Sequence, residues 1–160
     1  MNIKNIINIL AAAFLCFSPI FPQSTASAQG DVQFDRSEVE IITSGGEYSF
    51  DVEVADTDAQ RSRGLMFRNE LAEDAGMIFL YRQDRVLTMW MANTYLSLDM
   101  LFLAADGRIV HIAENTIPLS RETISSRRRA RAVLELNAGT AKRLGITVGD
   151  RVVHEALLGR

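Results

Sequence analysis

The stretch EYSFDVEVA repeats with a period of two: Tyr48, Phe50, Val52 and Val54 are apolar, while Ser49, Asp51 and Glu53 between them are polar. Successive side chains of a strand point to opposite faces, so this pattern describes a strand with one wet face. The same reading extends to Val39 to Thr43, Met77 to Tyr81, Val86 to Ala92, Leu98 to Leu103, Arg108 to Ala113, Ala130 to Leu136 and Arg151 to Ala156. Turn chemistry separates them, at Ser44-Gly45-Gly46, Asp106-Gly107 and Gly149-Asp150. The expectation is a single all-β domain, a barrel or sandwich with closed or protected edges.

Two helical pieces interrupt the strands. Thr57-x-x-Gln60 has the form of a capping box, in which the Thr57 oxygen accepts a free backbone N–H and Gln60 reaches back. It opens a short helix running to about Met66. Thr140 to Leu144 is the second, stopped by Gly145, a residue suited to the left-handed turn after a helix. Residues 29–36 read as a loose leader to the domain.

The first 28 residues carry a different message. Lys4 supplies a positive charge, Ile6 to Phe21 is an apolar run, and Ala26-Ser27-Ala28 offers small residues for cleavage, the makeup of a secretory signal. Pro19 and Pro22 break the run, which is short for a spanning helix, so no stable membrane span is expected after cleavage. Export to the periplasm or the medium follows. Cys16 lies within the apolar segment, so the mature chain has no cysteine and therefore no disulfide, thiolate metal site or cysteine nucleophile. Losing Lys4 leaves 16 basic and 20 acidic residues, a balance that argues against a nucleic-acid partner. The 132 residues that remain suffice for one core.

Several ordered segments carry a resemblance. VEVADTDAQRSRGLMFRNEL, AGMIFLY, WMANTYLSLDMLFLAADGRIVHIAE and RAVLELNAGTAKRLGITVGDRVV resemble the successive motifs of the prokaryotic family called domain of unknown function 192. The resemblance spans about Val52 to Val153 and implies a compact, mainly β domain, often exported, with no established activity. It supplies no catalytic residue list. Members of that family usually carry a basic residue where Ala92 stands and a proline where Ser97 stands. The missing proline implies a less rigid loop from Asn93 to Ser97.

The most apolar part of the exported chain, TMWMANTYLSLDMLF, contains Asn93, Thr94 and Asp99. If Val86 to Ala92 and Leu98 to Leu103 are neighbouring strands, Asn93 and Thr94 are ordinary turn residues between them. Asp99 shares a face with Leu101 and Leu103, so it needs a partner or a wet strand end. One reading is a structural latch to Arg63 or Arg68, which flank the apolar GLMF and can hold a carboxylate through two parallel bonds. The other is a cleft. Asp99, Asn93, Thr94 and Arg63 would line its mouth and Trp90, Met66 and Phe67 its walls, with Arg68 beside them, to hold a small polar or sugar-like ligand or an envelope partner.

Other candidates are weaker. His111 and His154 have no second histidine at ligand spacing, and Asp56, Asp58, Glu73 and Asp74 match no calcium loop, so neither metal nor cofactor is expected. Gly64 is read as a packing glycine. In RRRAR, Arg129 and Arg131 alternate with alanines as the outer face of a strand, Arg127 and Arg128 fall in the preceding loop, and the cluster could hold an anion. No G-x-S-x-G elbow is present. The majority reading is a binding or accessory module. The competing one is a hydrolase of an envelope sugar or ester using Asp99 as acid or base, with Glu114 as its conceivable second carboxylate.

Overall fold

The structure, a computed structural model, describes residues 32–158. The expected signal segment and its expected cleavage site, residues 1–28, lie outside them. Seven strands form one sheet: β1 (Asp35–Thr43), β2 (Gly46–Ala55), β3 (Ala75–Met89), β4 (Leu98–Leu103), β5 (Ile109–Ala113), β6 (Ile124–Asn137) and β7 (Arg151–Val153), in the order β5-β4-β6-β3-β2-β1-β7. Helices α1 (Asp58–Arg63) and α2 (Thr140–Leu144) and a 3-10 turn, Glu155–Leu157, complete the fold. The sheet curls toward a barrel, and its two edges meet at a single bridge between Arg108 and Arg151. The expected all-β, barrel-like domain with two short helices is what forms.

Alternation divides the side chains between two cores. Inside the curl, Ile41, Phe50, Val52, Ile78, Leu101, Leu134 and Val152 pack together, and α2 contributes Ala141. On the outer face of β3, β4 and β6, a second cluster of Met77, Phe79, Leu87, Met100, Phe102 and Val133 is covered by Leu65 and Met91 from loops. Both faces of β4 are therefore buried. Its sequence LDMLFL is accordingly apolar almost throughout, as expected for a strand with no wet side.

Several expectations are corrected, among them the strand read over Arg151 to Ala156, which stops at Val153 where the 3-10 turn takes over. Met77 to Tyr81 and Val86 to Ala92 are parts of one 15-residue strand, β3, which carries two irregularities where its register against β6 shifts. Arg131 pairs with Asp84 at 2.5 Å across the first, and Arg129 donates to the Asp84 carbonyl, so the polar Arg82-Gln83-Asp84 makes a bulge instead of a turn. Strand β6 lies between β3 and β4, which are therefore not neighbours. It also begins at Ile124, which puts Arg127 and Arg128 within a strand, Arg127 with a positive φ of 58°. Finally, the supposed leader already pairs: Asp35 and Arg36 stand opposite Val54 and Glu53.

The capping box at α1 forms as read. Gln60 N donates to Thr57 Oγ1 at 3.2 Å and Thr57 N donates to Gln60 Oε1 at 3.0 Å. The helix ends at Arg63, short of Met66, because Gly64 turns the chain with φ 46°. A Cβ there would stand 3.1 Å from the Phe79 ring, so the glycine lets α1 settle on the outer core. Strands β2 and β3 consequently run parallel, with α1 and its following loop as the crossover.

Candidate functional site

Where α1 crosses the outer face it leaves a cleft of about 330 Å³. Asp58, Arg61, Ser62, Arg63, Leu65 and Met66 form one side; Tyr81, Arg85, Thr88 and Met89 of β3, then Trp90 and Thr94 of the following loop, form the other. The two sides are stitched together: Phe67 N donates to the Asn93 carbonyl at 2.9 Å, and the Phe67 and Tyr95 rings meet edge to face at 6.3 Å. The volume is at the small end of the range for a small-molecule site, and the lining mixes polar and apolar groups.

The cleft also reaches Glu135 of β6, a residue 4 % exposed. Strand alternation puts Glu135 on the outer face with Val133, opposite Met100 of β4 and Met77 of β3. Its carboxyl receives no hydrogen bond and makes no ion pair among the described residues. Burial alone pushes it up to about 8, so the group is mainly protonated at neutral pH. Tyr81 is raised as well, chiefly by its own burial, with Arg61 and Arg85 opposing and Glu135 reinforcing.

The cations around it differ in how they are held. Arg61 is spent on structure, donating to Asp58 Oδ1 at 2.5 Å and to the Leu80 carbonyl at 2.8 Å. Arg63 lies over the Phe67 ring at 4.9 Å and Arg85 over Tyr81 at 5.3 Å. Neither has a carboxylate partner among the described residues. Trp90 is 59 % exposed, with its indole at the cleft edge.

A sequence profile of domain of unknown function 192, described as an uncharacterized ACR, matches residues 40–154. The chain belongs to that family. A solved structure from Sinorhizobium meliloti 1021, described as a candidate transcription regulator, is 48% identical over 78% of this chain and 97% of its own, with a TM-score of 0.75. A protein of unknown function from Novosphingobium aromaticivorans DSM 12444 is 39% identical over 74% of this chain and 85% of its own, with a TM-score of 0.73. No curated protein matches.

In this member of the domain of unknown function 192 family, the residues singled out from sequence fall into two groups. Arg63, Met66, Trp90 and Thr94 line the cleft, and Asn93 supports it through its carbonyl and a 3.8 Å contact from Nδ2 to Met66 Sδ. Asp99 and Arg68 lie elsewhere. Arg68 grips Glu53 through two bonds of 2.8 and 2.6 Å, which raises the guanidinium and lowers the carboxyl. Asp99 sits on the inner face, fully buried, and its latch is to backbone instead of arginine: Oδ1 accepts from Asn115 N at 2.8 Å and Oδ2 from Ala141 N at 2.9 Å. The second bond caps α2, whose own N-cap, Gly139, has no side chain to do so.

Ser97 donates to the Thr116 carbonyl at 2.7 Å and so tethers the loop that a proline was expected to stiffen. His111 stacks on Phe102 and is lowered by burial and then by Arg127; His154 Nδ1 accepts from Ala156 N and caps the 3-10 turn. Glu135 is the residue that sequence reasoning missed. Its signal was present: in AVLELN it is the one acid in a run whose neighbours on both faces are apolar.

Proposed function

We propose that the protein is an exported binding module that takes a small polar ligand in the cleft between α1 and the loop after Trp90. One observation carries this reading: Glu135, nearly buried and without a side-chain hydrogen-bond partner among the described residues, opens its carboxyl onto that cleft beside Arg63, Thr94 and Trp90. A carboxyl that meets water only through a narrow opening gains from a ligand that supplies a hydrogen-bond partner there. Trp90 offers a flat apolar contact to the ligand's body. Against the hydrolase alternative stands the place of Asp99, fully buried on the other face of the sheet with each oxygen bonded to a backbone amide. The relative described as a transcription regulator does not redirect the reading, because the acidic balance of the chain disfavours nucleic acid.

The test is a thermal-shift screen of sugars, nucleotides and small anions on the purified protein, repeated on Thr88→Trp, which fills the cleft from an exposed position on β3. A stabilising response lost in Thr88→Trp, whose own melting temperature is unchanged, is the expected result. A response of equal size in both proteins would place binding elsewhere. Export is checked by mass spectrometry of the protein recovered from its host, which should begin at Gln29.

A further inference from the structure

The charges lining the cleft with Glu135 are uneven. Helix α1 brings Asp58, Arg61 and Arg63, strand β3 brings Tyr81 and Arg85, and the loop brings the uncharged Trp90 and Thr94. Strand β4, paired with β6 beneath them, presents Leu98, Met100 and Phe102 on this face. Asp58 and Arg61 neutralise each other. What remains is two guanidiniums resting on aromatic rings, and a carboxyl whose O–H finds no acceptor among the described residues.

We propose that the ligand of this cleft is a small organic acid, whose carboxylate accepts the Glu135 O–H and lies within reach of Arg63 and Arg85, with its body against Trp90 and Met66. This deepens the reading of the cleft as a ligand site and rests on it. An ionised carboxylate is the acceptor that a protonated carboxyl bonds most strongly, through a short charge-assisted O–H to O⁻ contact. It also balances guanidiniums that have no acid of their own. A neutral ligand would leave them unanswered, and an amine would be repelled. Phosphate, with three acceptor oxygens and more than one charge, demands more donors than one O–H and two exposed arginines.

Proton bookkeeping gives the proposal its signature. Below about pH 8 Glu135 already carries its proton, and an ionised acid binds without proton exchange. Above that, each binding event must take up one proton, and affinity falls about tenfold per pH unit. Isothermal titration of glucuronate against glucose, and of benzoate against benzamide and benzylamine, at pH 6.5 and 9.5 reads this out. Each acid should bind at least about tenfold tighter than its neutral counterpart at pH 6.5, and about thirtyfold more weakly at pH 9.5, with uptake of nearly one proton. Glu135→Gln keeps a donor and should bind the acids equally at both pH values. Arg63→Ala should weaken the acids and leave the neutral compounds alone.

Benzamide or glucose binding as tightly as its acid, benzylamine binding best, inorganic phosphate displacing both acids, or a pH effect that survives Glu135→Gln would each overturn the acid ligand. Neutral compounds that bind as tightly as the acids and are lost in Thr88→Trp would leave the cleft intact while ending the acid. Silence from all of these compounds would count against both.

Discussion

Asp99 and Glu135 are two buried carboxyls on paired strands, one register step apart and on opposite faces of the same sheet. Asp99 faces the interior of the curl, where two backbone amides fill both its oxygens. Glu135 faces outward beneath α1, where none does. Burial is common to both, so burial does not distinguish a structural acid from one available to a ligand. The hydrogen-bond account does, because Asp99 has exchanged water for two protein amides whereas Glu135 has no protein partner among the described residues and opens to the cleft.

The largest test breaks the inner acid. Asp99→Ala strands the amides of Asn115 and Ala141 and uncaps α2, and should cost roughly 3–6 kcal/mol of stability in a denaturant titration. A loss below about 1 kcal/mol would mean that Asp99 is no latch, and the contrast would collapse.

The outer acid should instead reveal itself through pH. Its folded value, about 8, stands above the ordinary 4.5, so between those limits the folded state holds a proton that the unfolded state releases. The contribution is complete below pH 4.5, declines as pH rises, and is gone above about 8. Wild type measured against Glu135→Gln should therefore lose roughly 3–5 kcal/mol across that window. A flat difference would show that Glu135 ionises normally through water in the cleft. The smallest effect belongs to the cleft wall: Gly64→Ala, strained at φ 46° and crowded by Phe79, should cost about 1–2 kcal/mol in the same titration and blunt any ligand response. Full retention of both would show that α1 is free to shift on the outer core.

Strand identity was legible wherever one face is wet, as in Tyr48 to Val54, because alternation records exposure directly. It failed at Arg82-Gln83-Asp84, since a polar triplet has the same composition in a bulge as in a turn. Within the site, the approach of the Arg63 to Phe67 segment to the loop after Trp90 was anticipated, whereas Asp99, rightly grouped with Leu101 and Leu103, was drawn into a cleft that their face does not line, and Glu135 was passed over. Adjacent residues of a strand differ by a whole sheet thickness in where they point. Deciding which of two buried faces meets α1 requires the strand order, and with β6 placed between β3 and β4 that order is not the sequence order.

From the sequence alone came the β-rich scaffold, the capped start of α1 and the family, because propensity, capping and alternation are local and are written within a few residues. Tertiary structure decided which acid is satisfied and which faces the cleft. Those outcomes depend on amides and guanidiniums contributed by segments far apart in the chain, Ala141 for Asp99 and α1 for Glu135, and no local pattern encodes their meeting.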